Sequence, residues 1–540
     1  MTAALSSVQV AEIHRLMTRA SEAYNREDTA AARRDCEQVL RLYPEFSQAW
    51  HLLGLCHWQQ GHLAEAADAL ARAAGPKPQD AQVMHDLGNV YSDQGSWALA
   101  VHAYLKAIEL QPGHAESFLN MGAAYENLAE HAQAELAYRR ALALNPRLAT
   151  AAASLASLAE SANRTEEART LTEQALAIDA SDPIANLTRA QLDLRDGQLE
   201  AGAMRLEVLL RGPLRPRNRS LALARLGAIH EKRGDYERAF EAFQGSKLAL
   251  NIGEPAPGSG IYTKASIQRI ARHLDGLLAG SAASPAIPGA TPVFLVGFPR
   301  SGTTLLDQIL SSHPRLEVLE EKDNLQDLLR DFATSEAGLE RLEKLDSAAL
   351  EPYRRQYWAR VADALPQRDP ARIFVDKLPL NTLFMPLIVQ LFPQARFVFA
   401  LRDPRDVVLS CFMRAFGLNE AMRHFLTLAG TAELYAGVMD IGIRSQKRLA
   451  GRVHLIRYES LVEDLEGEAR RLCAFLGLAW DPSMLRFQDT ARKRRINTPS
   501  YHQVVQPVYT SARDRWRRYE KHLAPVLPRL QPFVEYFGYV

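Results

Sequence analysis

The stretch Pro292–Pro314, PVFLVGFPRSGTTLLDQILSSHP, decides how the second half of the chain folds. Its apolar, β-branched opening reads as a buried strand ending at Gly297. A glycine-rich turn follows, and a helical pattern takes over at about Gly302. A strand that turns tightly into a helix aims the unpaired N–H groups of the first helical turn at an anion. The spacing Gly297-x4-Gly302 equals that of a Walker A loop, but Thr303-Thr304 stand where that loop needs Lys-Ser/Thr, and Arg300 lies inside the turn. A nucleoside triphosphatase would lose the lysine that bridges its β- and γ-phosphates. A single phosphate needs no such reach, and hydroxyls plus Arg300 suffice. The plain alternative is a structural turn that holds nothing.

Working outward, three further short runs rich in β-branched and aromatic residues read as strands: Arg372–Val375, Arg396–Leu401 and Arg452–Ile456. Helix-length segments separate them, so the expectation from Thr291 onward is a parallel sheet with helices on both faces. Ligands of such sheets bind beyond the carboxyl ends of the strands. There the run RFVFALRDPRDVVLSCF (Arg396–Phe412) carries strand into loop and loop into a helix starting near Pro404, with Ser410 on its second or third turn. Arg402 and Ser410 offer a second phosphate site, separate from the first. Two such sites on neighbouring loops suit a nucleotide phosphorylated at both its 5′ and 3′ positions; as ordinary capping charges, Arg402 and Asp403 imply no ligand.

Upstream the chain repeats. Gly54, Gly88 and Gly122 are 34 residues apart, and Pro44, Pro78, Pro112 and Pro146 keep the same interval. So do Ala66, Ala100, Ala134 and Ala168, and Ala73, Ala107, Ala141 and Ala175. Each unit reads as a helical hairpin in which small residues allow close approach and proline closes the unit. The register is clear from about Glu12 to Leu144, weakens through Leu155-Ala156, slips, and returns at Leu226-Gly227 with Tyr236, Ala239 and Phe243. Six to seven units end near Leu250. The period and positions resemble the tetratricopeptide repeat (TPR), an all-α superhelix that implies a concave face for a peptide or partner protein; a spacer or a homo-oligomerisation scaffold is the alternative use. Residues 251–290 look like a connector with turn-forming ends and a helix-compatible piece over Lys264–Leu278. The expected organisation is a TPR domain over 1–250, a linker over 251–290 and an α/β domain over 291–540.

Bulk composition restrains these readings. Lys+Arg (64) and Asp+Glu (63) nearly cancel in 540 residues, so nothing global points to nucleic acid or an acidic membrane. Four cysteines with no metal-ligand spacing argue against a zinc site or a disulfide framework. Without a secretory signal or an apolar run long enough to span a bilayer, the expected address is the cytoplasm.

Five blocks in order carry a more specific resemblance: PRSGTT at 299–304, Asp376-Lys377, RDPRDVVLSCF at 402–412, RYESL at 457–461 and SYHQVVQPVYTSARDRW at 500–516. Together they resemble the sulfotransferases that use 3′-phosphoadenosine 5′-phosphosulfate (PAPS), in the branch holding the tyrosylprotein and bacterial TPR-linked enzymes. The resemblance implies a P-loop-like sulfotransferase fold that holds PAPS as cosubstrate at the carboxyl edge of a central sheet, with no essential metal. By family position Arg300, Ser301, Gly302, Thr303 and Thr304 hold the 5′ end. Arg402, Ser410 and Arg414 hold the 3′-phosphate, Arg414 lying four residues beyond Ser410 and so on the same helical face. Tyr458, Ser500 and Arg515 match further nucleotide contacts, and the basic run Arg492–Arg495 either shields the nucleotide or faces solvent.

The resemblance also implies a general base about twenty residues after Arg300. Glu320 and Glu321 stand there; the register favours Glu321, and at a helix start both would be solvated charges. A carboxylate within hydrogen-bond reach can take the proton of an acceptor hydroxyl. Lys377 is implied at the bridging oxygen, where negative charge grows as the S–O bond breaks, with Arg300 sharing that load. One departure bears on substrate: the tyrosylprotein enzymes carry an arginine two residues after the base, where this chain has Asp323. With the family's luminal anchor expected to be missing as well, acidic tyrosine peptides are a weaker expectation than a protein, peptide or glycan hydroxyl recruited by the repeats. Two other readings compete: a TPR adaptor with a degenerate, binding-only domain, and a P-loop kinase, which the absent Walker lysine disfavours.

Overall fold

The computed structural model describes residues 6–250, 260–279, 291–417, 419–489 and 513–539. Its contacts divide the chain into two compact units, Met1–Leu209 and Leu210–Val540. Among the described residues, no helix is long and apolar enough to cross a membrane.

The first unit is a run of helices. These are α1 (Ser7–Asn25), α2 (Thr29–Leu42), α3 (Ser47–Gln59), α4 (Leu63–Ala74), α5 (Ala81–Asp93), α6 (Trp97–Leu110), α7 (Ala115–Asn127), α8 (His131–Leu144), α9 (Ala149–Ser161), α10 (Thr165–Ile178), α11 (Pro183–Arg195) and α12 (Leu199–Arg211), the last reaching the division. The prolines at 44, 78, 112 and 146 each fall just past the end of an even-numbered helix, where they end one hairpin and start the next. The glycine column is explained by what it receives. A Cβ on Gly54 would stand 2.7 Å from Leu70 Cγ, and one on Gly88 or Gly122 would stand 2.5 Å from the ring of Tyr104 or Tyr138. In each case the knob comes sixteen residues later, from the second helix of the hairpin. Where the column holds Ala156 instead, the corresponding knob is Thr172, smaller and buried. Glycine and large knob, or alanine and small knob, fill the same volume.

The repeat persists further than the residue columns suggest. Helices begin at Ser47, Ala81, Ala115, Ala149 and Pro183, each 34 residues after the last. The slip falls at the next hairpin, α13 (Pro216–Lys232) with α14 (Tyr236–Leu248). There α13 carries an additional turn at its start, so Gly227 comes eleven residues into its helix where Gly54 comes seven into α3.

The second unit begins with that hairpin. It continues through α15 (Lys264–Ala279), the helix expected within the connector, whose Ile267, Ile270, Leu274 and Leu277 are core residues rather than linker surface. The turn-forming stretches on either side of α15 lie outside the described residues. The sheet is wholly parallel: β1 (Val293–Val296), β2 (Leu316–Glu320), β3 (Ile373–Lys377), β4 (Arg396–Leu401) and β5 (Val453–Arg457), in the order β2-β3-β1-β4-β5. β1 is central because both its faces are buried: Phe294 and Val296 join the core that includes α15, while Val293 and Leu295 join the core under α16 (Thr303–Ser311). Four of these strands match the sequence-based expectation. β2 does not; the chain around Glu320 was expected only as a possible helix start.

Candidate active site

The sheet order brings the carboxyl ends of all five strands to one edge, and each end carries a residue singled out above. The turn after β1 is fixed from below. Gly297 N–H lies 2.8 Å from Thr382 Oγ1 and 3.1 Å from the carbonyl of Pro379, and the Thr382 hydroxyl lies 2.6 Å from the Gly297 carbonyl. Within the turn Ser301 N–H donates to the Phe298 carbonyl at 3.1 Å, and Phe298 N–H to Ser301 Oγ at 3.3 Å. Arg300 (φ 72°) and Gly302 (φ 95°) both take the left-handed conformation. For arginine that conformation is strained, and strain of this kind collects at sites that use it. At Gly302 glycine is required twice over, since a Cβ would also meet Tyr458 Cδ2 at 2.8 Å. Among the described residues no side chain caps the N-terminus of α16, and Ser301, Thr303 and Thr304 are buried around it. The first-turn amides therefore face an enclosed, polar position suited to an anion.

The ends of β4 and β5 close on the same turn. Arg300 Nε donates to Ser410 Oγ at 3.0 Å, so the turn after β1 touches the helix after β4. Arg402 is buried, reaches the Arg300 carbonyl at 3.4 Å, and stacks its guanidinium 4.9 Å from the Tyr458 ring centre. Asp406, in the first turn of the helix Pro404–Met413, lies 3.6 Å from Arg402 and accepts from Trp516 N–H at 2.8 Å. Burial, only partly offset by Arg402, raises its carboxyl to about 6. Arg300, Arg402, Ser410, Gly302 and Tyr458 thus form one cluster.

At the ends of β2 and β3 stands a second cluster. Lys377 is fully buried, with Nζ 2.7 Å from Glu321 Oε1 and 3.2 Å from Glu320 Oε1. Burial alone would lower its ammonium; the charges of Glu321, Glu320 and Asp307 outweigh burial and hold it above the ordinary value. Glu321 N–H donates to the Lys377 carbonyl at 2.8 Å, continuing the ladder one residue past β2, and Glu321 then turns with φ 47°. Its side chain keeps 42% of its surface exposed, against 14% for Glu320, so it is the carboxylate open to an incoming group. Asp376 does not pair with Lys377. Strand alternation sends it to the other face, where Asn324 Nδ2 (3.0 Å) and the Tyr357 hydroxyl (2.7 Å) donate to it, and burial raises it to about 6.

Two sequence-predicted positions, Arg414 and Arg515, have surroundings other than those expected. The helix carrying Ser410 ends at Met413, and Arg414 has left it with φ −84° and ψ 139°, so the argument from a shared helical face fails there. Arg515 is engaged by Glu231 of α13 at 2.5 and 2.6 Å. Ser500 and the run Arg492–Arg495 lie outside the described residues. Missed by sequence reasoning were Thr382 and Asp307, whose roles come from contacts distant in the chain that no local pattern marks, and Asp406, whose four-residue spacing from Arg402 was the signal that could have found it.

Comparison with known proteins adds the following. The sulfotransferase family model matches residues 292–482. A model described as the cilia and flagella-associated protein 70 C-terminal domain, a TPR model, matches residues 8–184. An uncharacterized protein of Aquifex aeolicus (strain VF5) is 30% identical over 365 residues, covering 66% of this chain and 46% of that protein. Protein-tyrosine sulfotransferase 2 of Gallus gallus is 28% identical over 270 residues, covering 44% of this chain and 68% of that protein. The chain thus spans about half the length of the Aquifex protein. A solved tetratricopeptide repeat protein from Parabacteroides merdae aligns with 45% of this chain and 94% of its own, at 19% identity and a TM-score of 0.38.

Proposed function

From the premise that residues 292–482 form a sulfotransferase-family domain and that the helices before it are TPR-like, we propose that this chain moves a sulfuryl group from PAPS to an acceptor hydroxyl. Arg300, Ser301, Gly302, Thr303 and Thr304 take the 5′-phosphosulfate end, and Arg402 and Ser410 take the 3′-phosphate. Glu321 accepts the proton of the acceptor hydroxyl as its oxygen bonds to sulfur. The bond from sulfur to the bridging oxygen breaks, and Lys377 meets the charge left on that oxygen. The observation that carries this reading is Lys377. It is a wholly buried ammonium gripped by Glu321 and Glu320 at the end of β3, beside the central strand whose loop carries Arg300.

Asp323, exposed two residues beyond Glu321, makes the acceptor side a poor host for acidic peptides. The acceptor is a hydroxyl on a protein, peptide or glycan gathered by the repeats. The four cysteines stand as free, buried thiols, in keeping with a reducing compartment such as the cytoplasm.

Calorimetry with 3′-phosphoadenosine 5′-phosphate against ATP and magnesium tests the nucleotide. The bisphosphate is expected to bind and ATP to bind weakly; tight magnesium–ATP binding with no response to the bisphosphate ends the proposal. Transfer of labelled sulfate then separates an enzyme from a binding-only adaptor. Glu321→Gln is expected to lose on the order of a hundredfold or more in rate, and an unchanged rate would reject Glu321 as the base.

A further inference from the structure

Helix α14 carries a buried cation that the reading above leaves unused. Phe240, Phe243 and Lys247 recur at i, i+3 and i+7, which puts them on one helical face. At one end of that face Phe240 packs 5.5 Å from the Phe412 ring and stacks on His522 at 4.0 Å. Phe243 fills the space beside Gly227. Two turns beyond Phe240, the same face delivers Lys247 to the end of the Ser410-bearing helix, where Nζ donates to the backbone carbonyl of Arg414.

Lys247 is only 8% exposed, and among the described residues no carboxylate pairs with it. An ammonium has three donors, and the Arg414 carbonyl takes one. Burial lowers its proton affinity to about 8, so it remains mostly charged at neutral pH. A buried charge without a counter-charge is costly, and that cost is relieved when an anion arrives. Its position tells which anion. Cys411, the residue after Ser410, donates its Sγ–H to the Pro299 carbonyl at 3.2 Å and lies in the combined field of Arg300, Lys247 and Arg402. The cation from α14 therefore flanks the same short segment as the two arginines of the site.

We propose that Lys247 is a third ligand of the nucleotide's 3′-phosphate, and its second cation beside Arg402, so that the last hairpin of the repeat region completes the cosubstrate site. This rests on the PAPS reading, because it assigns a charge within that same site.

The experiment compares 3′-phosphoadenosine 5′-phosphate with adenosine 5′-monophosphate, which lacks the 3′ group, by calorimetry on the full chain. Lys247→Met is expected to lose about tenfold or more in affinity for the bisphosphate, the size of one charge-assisted contact, and to bind the monophosphate as wild type does. Lys247→Gln keeps a donor for the Arg414 carbonyl while removing the charge, so it guards against misfolding and should show the same selective loss. Lys247→Arg should retain most of the affinity. Wild-type affinity for the bisphosphate in both uncharged variants overturns the proposal. So does an equal loss for both nucleotides, which would mark Lys247 as a structural strut. If wild type itself ignores the bisphosphate, the parent reading fails first and this inference falls with it.

Discussion

Lys377 has none of its surface in water, and a charge so placed survives because Glu321 and Glu320 stand 2.7 and 3.2 Å away. Such an arrangement serves chemistry better than stability. Removing charges from water costs about as much as their attraction returns, and replacing a whole buried ion group by apolar side chains of similar shape is often neutral or better. Stripping the partners from a buried charge is different, and costs roughly 3–5 kcal/mol. The expectation is therefore asymmetric. Lys377→Met leaves carboxylates that still reach water, at 42% and 14% of their surface, and should melt only slightly lower than wild type while abolishing sulfate transfer, whereas Glu320→Gln with Glu321→Gln strands a lysine with no surface in water and should lower stability by about 3 kcal/mol in chemical denaturation. A Lys377→Met protein that unfolds as easily as the double variant would mean the lysine is structural. The sequence already marked Arg300, Lys377 and Arg402, because each sits at or just beyond a legible strand end; Ser410 was marked by its place on the helix that follows, and Glu321 by the family resemblance alone, since β2 was not read. It ran the helix of Ser410 on through Arg414, since the helix end at Met413 bears no proline or glycine to announce it. Glu231 as the partner of Arg515 is 284 residues away in the chain, beyond the reach of any local pattern.

At the scale of elements, the first unit shows why a repeat can be read and a short strand missed. Every hairpin turn from α1–α2 to α13–α14 puts one residue in the left-handed conformation: Glu27, Gly61, Gly95, Ala129, Asn163, Gly197 and Gly234. Four are glycine, at no steric cost, and asparagine tolerates the position. Ala129, exposed at φ 61°, pays for its Cβ without packing in return. Ala129→Gly should therefore stabilise the unit by up to about 1 kcal/mol, the penalty for an L-residue there less the greater freedom glycine has when unfolded. Gly122→Ala should do the reverse by about 1–3 kcal/mol, because its Cβ would drive into the Tyr138 ring. Thermal melts of both variants check the pair; equal shifts of one sign would refute the separation of turn from packing column. β2 had no such repetition behind it. Its five residues at the edge of the sheet, LEVLE, break the apolar–polar alternation of a strand at Val318-Leu319, a pattern equally compatible with a helix start until β3 supplies the pairing.

At the scale of the molecule, sequence and packing draw the boundary in different places. By its columns α13–α14 is the last repeat, which sets the expected division near Leu250; by its contacts it belongs to the unit Leu210–Val540. The physical reason lies in what covers it. Glu231 holds Arg515, the Tyr236 ring meets Tyr519 edge-on at 5.5 Å, Phe240 sits between Phe412 and His522, and Lys247 caps the Ser410 helix at the Arg414 carbonyl. Cutting at Leu250 would uncover Phe412 and Tyr519, at roughly 2 kcal/mol for each large side chain returned to water, and would strip the half-buried Arg515 of its carboxylate. A chain starting at Leu210 should therefore unfold in one cooperative transition and bind 3′-phosphoadenosine 5′-phosphate as the full chain does. A chain starting at residue 251 should be poorly soluble, or melt far lower, and bind the bisphosphate weakly. Matching melts and affinities for the two truncations would show that α13–α14 contributes nothing to the unit it packs against, and would return the boundary to where the repeat columns place it.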